Sequence, residues 1–256
     1  REWISGFTGS AGTVVITEKK AGLWTDSRYF LQAAEQLQGS GIDLYKEMLP
    51  DTPSITEFLS TQLKPGEAVG IDGKMFSVEQ VEYMQAELSS SNLQIIFCPD
   101  PMQEIWTNRP PMPESPAFVY DIEYAGKSCT EKIASIRTEL KKKGAESVML
   151  SALDEIAWTL NLRGNDVHCN PVVISYLLIT EDSTILFIAP EKVTEEVRNY
   201  LKEQQVEIRN YAETEIYLSD LKSTSILMNP AKTNYAIFSS VNPKCRIIRG
   251  EAPVAL

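Results

Sequence analysis

The 256-residue sequence predicts an α/β protein of two domains, each a sheet with helices on its faces. Three observations carry that reading. Strand-type apolar runs alternate with segments of helical spacing along the chain. The stretch from Pro99 to Pro116 holds six prolines, at 99, 101, 110, 111, 113 and 116. Proline fixes φ and removes a donor, so this stretch is neither a regular helix nor a central strand. Finally, at about 150 residues per domain the length suits two domains. The expected division is a first domain over 1–116, including the linker 99–116, and a second over 117–256.

In order along the chain, Thr13 to Thr17 is a β-branched run and reads as a strand, with Leu23 to Thr25 returning as its partner. Asp26 and Ser27 are N-caps for an expected helix from Arg28 to Gln38, whose stripe is Tyr29, Phe30, Ala33, Ala34 and Leu37. Ile42 to Met48 alternates as a strand. Ser54 with Glu57 and Ser77 with Gln80 have capping-box spacing and open two helices, the second running to about Leu88. Ala68 to Ile71 and Leu93 to Cys98 are strands.

Beyond the prolines, Thr130 to Lys143 is an amphipathic helix with Ile133, Ile136 and Leu140 on one face. Its end, Lys141 to Gly144, sets positive charge and glycine where the helix dipole is negative. Expected strands are Val148 to Ser151, Val172 to Thr180, Thr184 to Ala189, Val206 to Arg209, Ile226 to Asn229 and Arg246 to Arg249. Expected helices are Leu153 to Leu160, Val193 to Gln204, Glu215 to Leu221 and Asn234 to Val241.

Composition narrows the function. Lys and Arg number 24 against 35 Asp and Glu, a net charge of −11 that argues against nucleic acid as the main partner. Hydrophobic residues at 43% and charged residues at 23% are ordinary for a globular chain and exclude a disordered one. The single histidine, His168, cannot supply a zinc-protease helix with two histidines. Cys98, Cys129, Cys169 and Cys245 form no Cys-x-x-Cys clip and read as reduced thiols of a cytoplasmic protein. No apolar run is long enough to span a bilayer, and no signal peptide opens the chain, so no membrane partner is expected. The sequence starts at Arg1-Glu2-Trp3-Ile4, already patterned, which leads us to expect a preceding segment.

Three constellations could carry chemistry. Gly6, Gly9 and Gly12 precede a strand and not a helix, so they read as tight turns and not as a phosphate cradle. Asp26-Ser27-Arg28-Tyr29-Phe30 gathers an acid, a base and two aromatics at a helix start, either a local cap or a surface that meets a neighbouring domain or subunit. Asn161 to Pro171 is the most polar stretch and is expected to be a loop, a common carrier of function. Within it Arg163 has the geometry to clamp a carboxylate, Asp166 and Asn170 suit turns or a cleft, and His168-Cys169 are adjacent and so poorly placed to act as a base–thiol pair.

Trp3-Ile4-Ser5-Gly6-Phe7-Thr8-Gly9-Ser10-Ala11-Gly12, Leu23 to Ala33, Ile105-Trp106-Thr107-Asn108-Arg109-Pro110, Leu153 to Trp158, Asn161 to Val167 and Asn170-Pro171-Val172 together resemble the three-domain aminopeptidase P family, the Xaa-Pro aminopeptidases. The resemblance runs over essentially the whole chain. It implies two tandem creatinase N-terminal-like, ribonuclease-H-like domains with mixed sheets between helices. It also implies a parent enzyme that removes the N-terminal residue preceding proline from Xaa-Pro peptides. That enzyme would use two divalent metal ions, commonly manganese, held by Asp, His and Glu of a third, C-terminal domain. The His-Gly-x-Gly-His segment of that domain has no counterpart here, and Pro253-Val254-Ala255-Leu256 falls where the family would enter it.

The resemblance therefore yields no catalytic residue and no metal ligand in this chain, and no cofactor is expected on it alone. Its expected partners are the C-terminal catalytic domain and, when complete, a second copy in a homodimer. Arg163, Asp166, Asn170, Asp26 and Arg28 are the residues expected to face a cleft or an interface. His168 and Cys169 stand where the family varies and receive no role. The alternative reading is a stand-alone binding or scaffold module derived from the family. A prolidase or creatinase is disfavoured, since those carry one such domain and this chain carries two.

Overall fold

The computed structural model describes residues 1–254. Ala255 and Leu256, part of the expected run-on into a further domain, lie outside the described residues. The contacts fall into two units. One comprises Arg1–Gly70 with Glu82–Ile96, the other Ile71–Val81 with the residues from Phe97 onward.

In the first unit a short helix α1 (Glu2–Ser5) stops at Gly6, whose φ of 71° is the left-handed cap conformation glycine adopts without strain. β1 (Thr13–Ile16) and β2 (Ala21–Thr25) form an antiparallel hairpin. α2 (Phe30–Gln36) then leads to β3 (Ile42–Lys46), which lies parallel to β2 with Leu44 opposite Leu23 and Tyr45 opposite Trp24. The helix expected from Arg28 to Gln38 is shorter than its pattern. Asp26 accepts from the backbone N–H of Arg28, its carbonyl takes the N–H of Tyr29, and Ser27–Tyr29 winds as a tight 3-10 turn before α2 begins.

α3 (Ile55–Gln62), β4 (Ala68–Ile71), α4 (Val78–Ser89) and β5 (Gln94–Phe97) follow, with β4 paired to β5. Both expected capping boxes are formed, at Ser54 with Glu57 and at Ser77 with Gln80. The core is aromatic. Trp24 stacks on Tyr45 at 4.1 Å and meets Phe58 edge-on at 5.0 Å, and its indole N–H donates to the Pro53 carbonyl at 2.8 Å. The one polar atom of a buried indole is thus satisfied. A second cluster holds Phe7, Leu23, Ala33 and Leu37. A Cβ at Gly9 would stand 2.2 Å from the Phe7 ring, which is why that glycine carries no side chain.

The second unit contains β6 (Phe118–Val119), α5 (Ile122–Ala125), α6 (Cys129–Lys142), β7 (Ser147–Leu150), α7 (Leu153–Leu160) and β8 (Leu162–Arg163). Then come β9 (Ser175–Thr180), β10 (Thr184–Ile188), α8 (Glu195–Glu203), β11 (Glu207–Asn210), α9 (Thr214–Ser219), β12 (Ser225–Met228), α10 (Tyr235–Ser240) and β13 (Arg246–Arg249). The main sheet has the order β11-β10-β9-β7-β12-β13. It is mixed, with β7, β12 and β13 mutually parallel, β9 antiparallel to both neighbours, and β10 parallel to β11.

Successive strand residues point to opposite faces. Val148, Leu150, Leu177 and Ile179 pack with Ile133, Ile136 and Leu140 of α6, Leu160 of α7 and Leu201 of α8. Met149, Leu178, Phe187 and Met228 pack on the other face with Leu218 of α9 and Ile237 of α10. Strands buried on both sides read as continuous apolar runs, and this sheet does.

Residues 71–81 precede the proline cluster yet belong by contacts to the second unit. The N–H groups of Val78, Glu79, Tyr235 and Ala236 donate to the carbonyls of Thr233, Pro230, Phe76 and Gly73, at 2.9–3.1 Å. Phe97 stacks on Tyr235 at 4.3 Å, and Lys74 pairs with Glu215 at 2.9 Å. The proline cluster gives no signal of this crossing.

Candidate functional site

The polar stretch after α7 is built from α6 outward. The stripe of α6 that faces the core includes Lys132 beside Cys129 and Ile133, and Lys132 is only 2% exposed. Its ammonium donates to the Trp158 carbonyl at 2.7 Å and to Asn161 Oδ1 at 2.6 Å, and it lies 4.4 Å from the Trp158 ring centroid. A cation thus closes the C-terminal end of α7, where the helix dipole is negative. Burial, and then the nearby positive charge of Arg163, pull the Lys132 pKa down. Asn161 takes the left-handed conformation at φ 52° and donates through Nδ2 to the Lys127 carbonyl. Its own carbonyl accepts from Tyr120 N–H at 2.7 Å, which sets β8 antiparallel to β6.

The expected loop Asn161 to Pro171 therefore begins with a short strand. Arg163 occupies it, and its guanidinium is turned inward. Nη1 donates to the carbonyls of Ala157 and Leu162, and the group lies 4.6 Å from the Tyr120 ring centroid. Asp166 is held from inside. Its side chain and that of Lys192 are both fully buried and paired through Oδ2, which also accepts the backbone N–H of Ile174 at 2.6 Å. Asp166 Oδ1 is buried without a protein partner. These bonds consume Val172 to Ile174, so β9 starts at Ser175 and not at the expected Val172.

Asn170 closes a turn at the surface, its N–H donating to the Val167 carbonyl at 3.1 Å. His168 and Cys169 sit at the tip, exposed, with Cys169 at φ 59° in the third position, as in a type II turn. The four cysteines are free thiols, and Cys129 is buried at the first turn of α6.

In the first unit Asp26 and Arg28 form a bidentate pair at 2.9 and 2.7 Å on the surface. The Arg28 hydrogen bonds hold the Asp26 carboxyl below its ordinary pKa. Arg28 also covers Tyr29, whose hydroxyl meets Ser10 Oγ.

The five expected residues thus divide between two places, Asp26 with Arg28 in the first unit and Arg163, Asp166 and Asn170 around one stretch of the second. The pattern reading missed Lys132, Asn161 and Lys192 as the groups that hold this stretch. A lysine on an apolar helical stripe was the available signal for Lys132. Lys192 stands in Pro190-Glu191-Lys192 and gave none. Among the described residues no group of three His, Cys, Asp or Glu side chains is placed to hold a metal ion. The dinuclear centre implied by the resemblance does not fit the side chains among the described residues.

Residues 1–99 and 108–256 each match the creatinase/prolidase N-terminal domain. Aminopeptidase P2 of Arabidopsis thaliana is 39% identical over 96% of this chain, and an Xaa-Pro aminopeptidase of Drosophila melanogaster is 36% identical over 100% of it. The crystal structure of X-prolyl aminopeptidase from Caenorhabditis elegans, described as a cytosolic enzyme with a di-nuclear active site, superposes with a TM-score of 0.93 over 99% of this chain at 30% identity. The chain spans only 35% and 42% of the lengths of those two relatives and 42% of that structure, and corresponds to their N-terminal part. It belongs to the creatinase/prolidase N-terminal domain family and carries two such domains in tandem.

Proposed function

We propose that this chain is the non-catalytic N-terminal part of an Xaa-Pro aminopeptidase. The supporting observation is that essentially its whole length matches relatives of that name while spanning well under half of them. In this reading the complete enzyme removes the residue that precedes proline, in the cytoplasm and as a homodimer. Two divalent metal ions, manganese in our reading, would be held by a C-terminal catalytic domain. The dinuclear site of the Caenorhabditis elegans neighbour and the lack of a donor set among the described residues favour that division of labour.

The domain boundary then lies in the proline-rich stretch 99–116. Arg163 and Asn170 shape the surface offered to the catalytic domain, with Asp166 and Lys192 anchoring that surface from inside. The exposed Asp26–Arg28 pair faces a neighbouring domain or subunit. The test is turnover of an Xaa-Pro-Pro peptide, with manganese added, by the complete polypeptide and by residues 1–256 alone. Only the complete polypeptide is expected to cleave it, and clear turnover by residues 1–256 would overturn the proposal.

A further inference from the structure

The second unit carries a concavity of about 660 Å3 at the amino ends of β7, β12 and β13. Its lining comes from three separate parts of the chain, Lys141 with Gly144 to Glu146, Ser223 to Ser225, and Lys244 with Arg246, which the sheet order brings side by side. Open α/β sheets ordinarily bind ligands at the carboxyl ends of their strands, so this place is not the one the fold itself would favour.

Its lining is mainly basic, although the chain as a whole carries a net charge of −11. Lys141, Lys244 and Arg246 line it against a single acid, Glu146. That carboxylate is already occupied. Its Oε2 accepts from Ser225 N–H at 2.7 Å and from the Ser225 and Thr224 hydroxyls at 3.0 Å each. Those donors, with the Arg246 charge beside them, hold Glu146 below its ordinary pKa, so it stays ionised and bound to its own strand ends.

The cations keep donors to spare. Arg246 commits Nη2 to the Gly144 carbonyl at 3.2 Å, which fixes its planar head over the groove and leaves further N–H groups for a bidentate acceptor. Lys141 meets Glu181 at 2.9 Å, but both side chains are largely exposed, and such a pair exchanges readily. Ser223 donates to the Lys244 carbonyl and keeps that loop beside β13.

We propose that this groove is an anion site for a small multivalent oxyanion, a phosphate or polycarboxylate, seated between Lys244 and Arg246 with Lys141 at its rim. The assignment is independent of the peptidase reading. The probes are pyrophosphate, inorganic phosphate and citrate, titrated into the 256-residue chain and followed by amide chemical shifts at constant ionic strength, with sodium chloride as control. Saturable shifts confined to 141–146, 223–225 and 244–246 are expected. They should weaken about tenfold in K244E/R246E and persist in K142E, which lies outside the groove. Tighter binding of pyrophosphate would name a phosphate source, and tighter binding of citrate a carboxylate one. If the double variant does not fold, Lys244→Ala alone should still weaken the titration. Shifts that do not saturate, that sodium chloride reproduces, or that the variants leave unchanged would overturn the proposal.

Discussion

Each unit pairs an aspartate with a cation, and the two pairs differ in almost everything but charge. Asp26 and Arg28 meet on the surface, two residues apart, with the Arg28 side chain 66% exposed. Asp166 and Lys192 meet 26 residues apart with both side chains at 0% exposure. Water screens the first pair, so it shapes a local turn and contributes little to holding the fold. The second pair has no water to fall back on. Desolvation has already been incurred, and either partner left alone would be an uncompensated buried charge. A polar residue in an exposed turn is therefore available to a partner, whereas a fully buried one that holds the backbone just before β9 can only position what surrounds it.

The largest expected effect follows from the buried pair. Lys192→Met should cost about 3–5 kcal/mol in urea unfolding, because Asp166 is then buried unpaired. Combining it with Asp166→Leu should recover part of that loss. A double variant no better than the single one would break the contrast between the two pairs.

Lys132→Met comes next. It leaves the Trp158 carbonyl and Asn161 Oδ1 without their ammonium donor, and about 2 kcal/mol of stability should be lost. Unchanged urea stability would mean that the α7 end is held by other groups.

A smaller effect is proton-linked. Burial pushes the Cys129 thiol up to about 12. The folded state then holds this proton more tightly than the unfolded one. The resulting stability is complete below the ordinary thiol pKa and drains away as pH rises toward 12, at up to about 1.4 kcal/mol per pH unit. Cys129→Ala should flatten that alkaline slope. At pH 8 a thiol reagent should label exposed Cys169 first and Cys129 only on unfolding.

The smallest effect belongs to the surface pair. Arg28→Ala should leave the unfolding midpoint of this chain unchanged within error, and a clear drop would show that the pair does more for the fold than its exposure allows.

The same contrast explains what the sequence made legible. Ser54 with Glu57 and Ser77 with Gln80 declare their helix starts within four residues, because a capping box is a local device. The apolar runs of β7, β9, β10 and β12 announce a sheet covered on both faces. What could not be read is what closes over long separations. β6 and β8 are two residues each and exist only because the chain returns after more than forty residues to pair Phe118 with Arg163. Nothing near Asp166 says that Lys192 will pair with it, so a polar run that suggested an open cleft has its one carboxylate side chain sealed inside. Residues 71–81 carry helix and turn signals, but their docking on 230–236 rests on backbone bonds that leave no pattern.

The proposed division of labour between this chain and a catalytic domain is tested most directly by metal stoichiometry. Residues 1–256, equilibrated with manganese or zinc, dialysed and analysed for bound metal, should retain none in stoichiometric amount. Two tightly held ions per chain, lost on substituting its own carboxylates, would contradict the account.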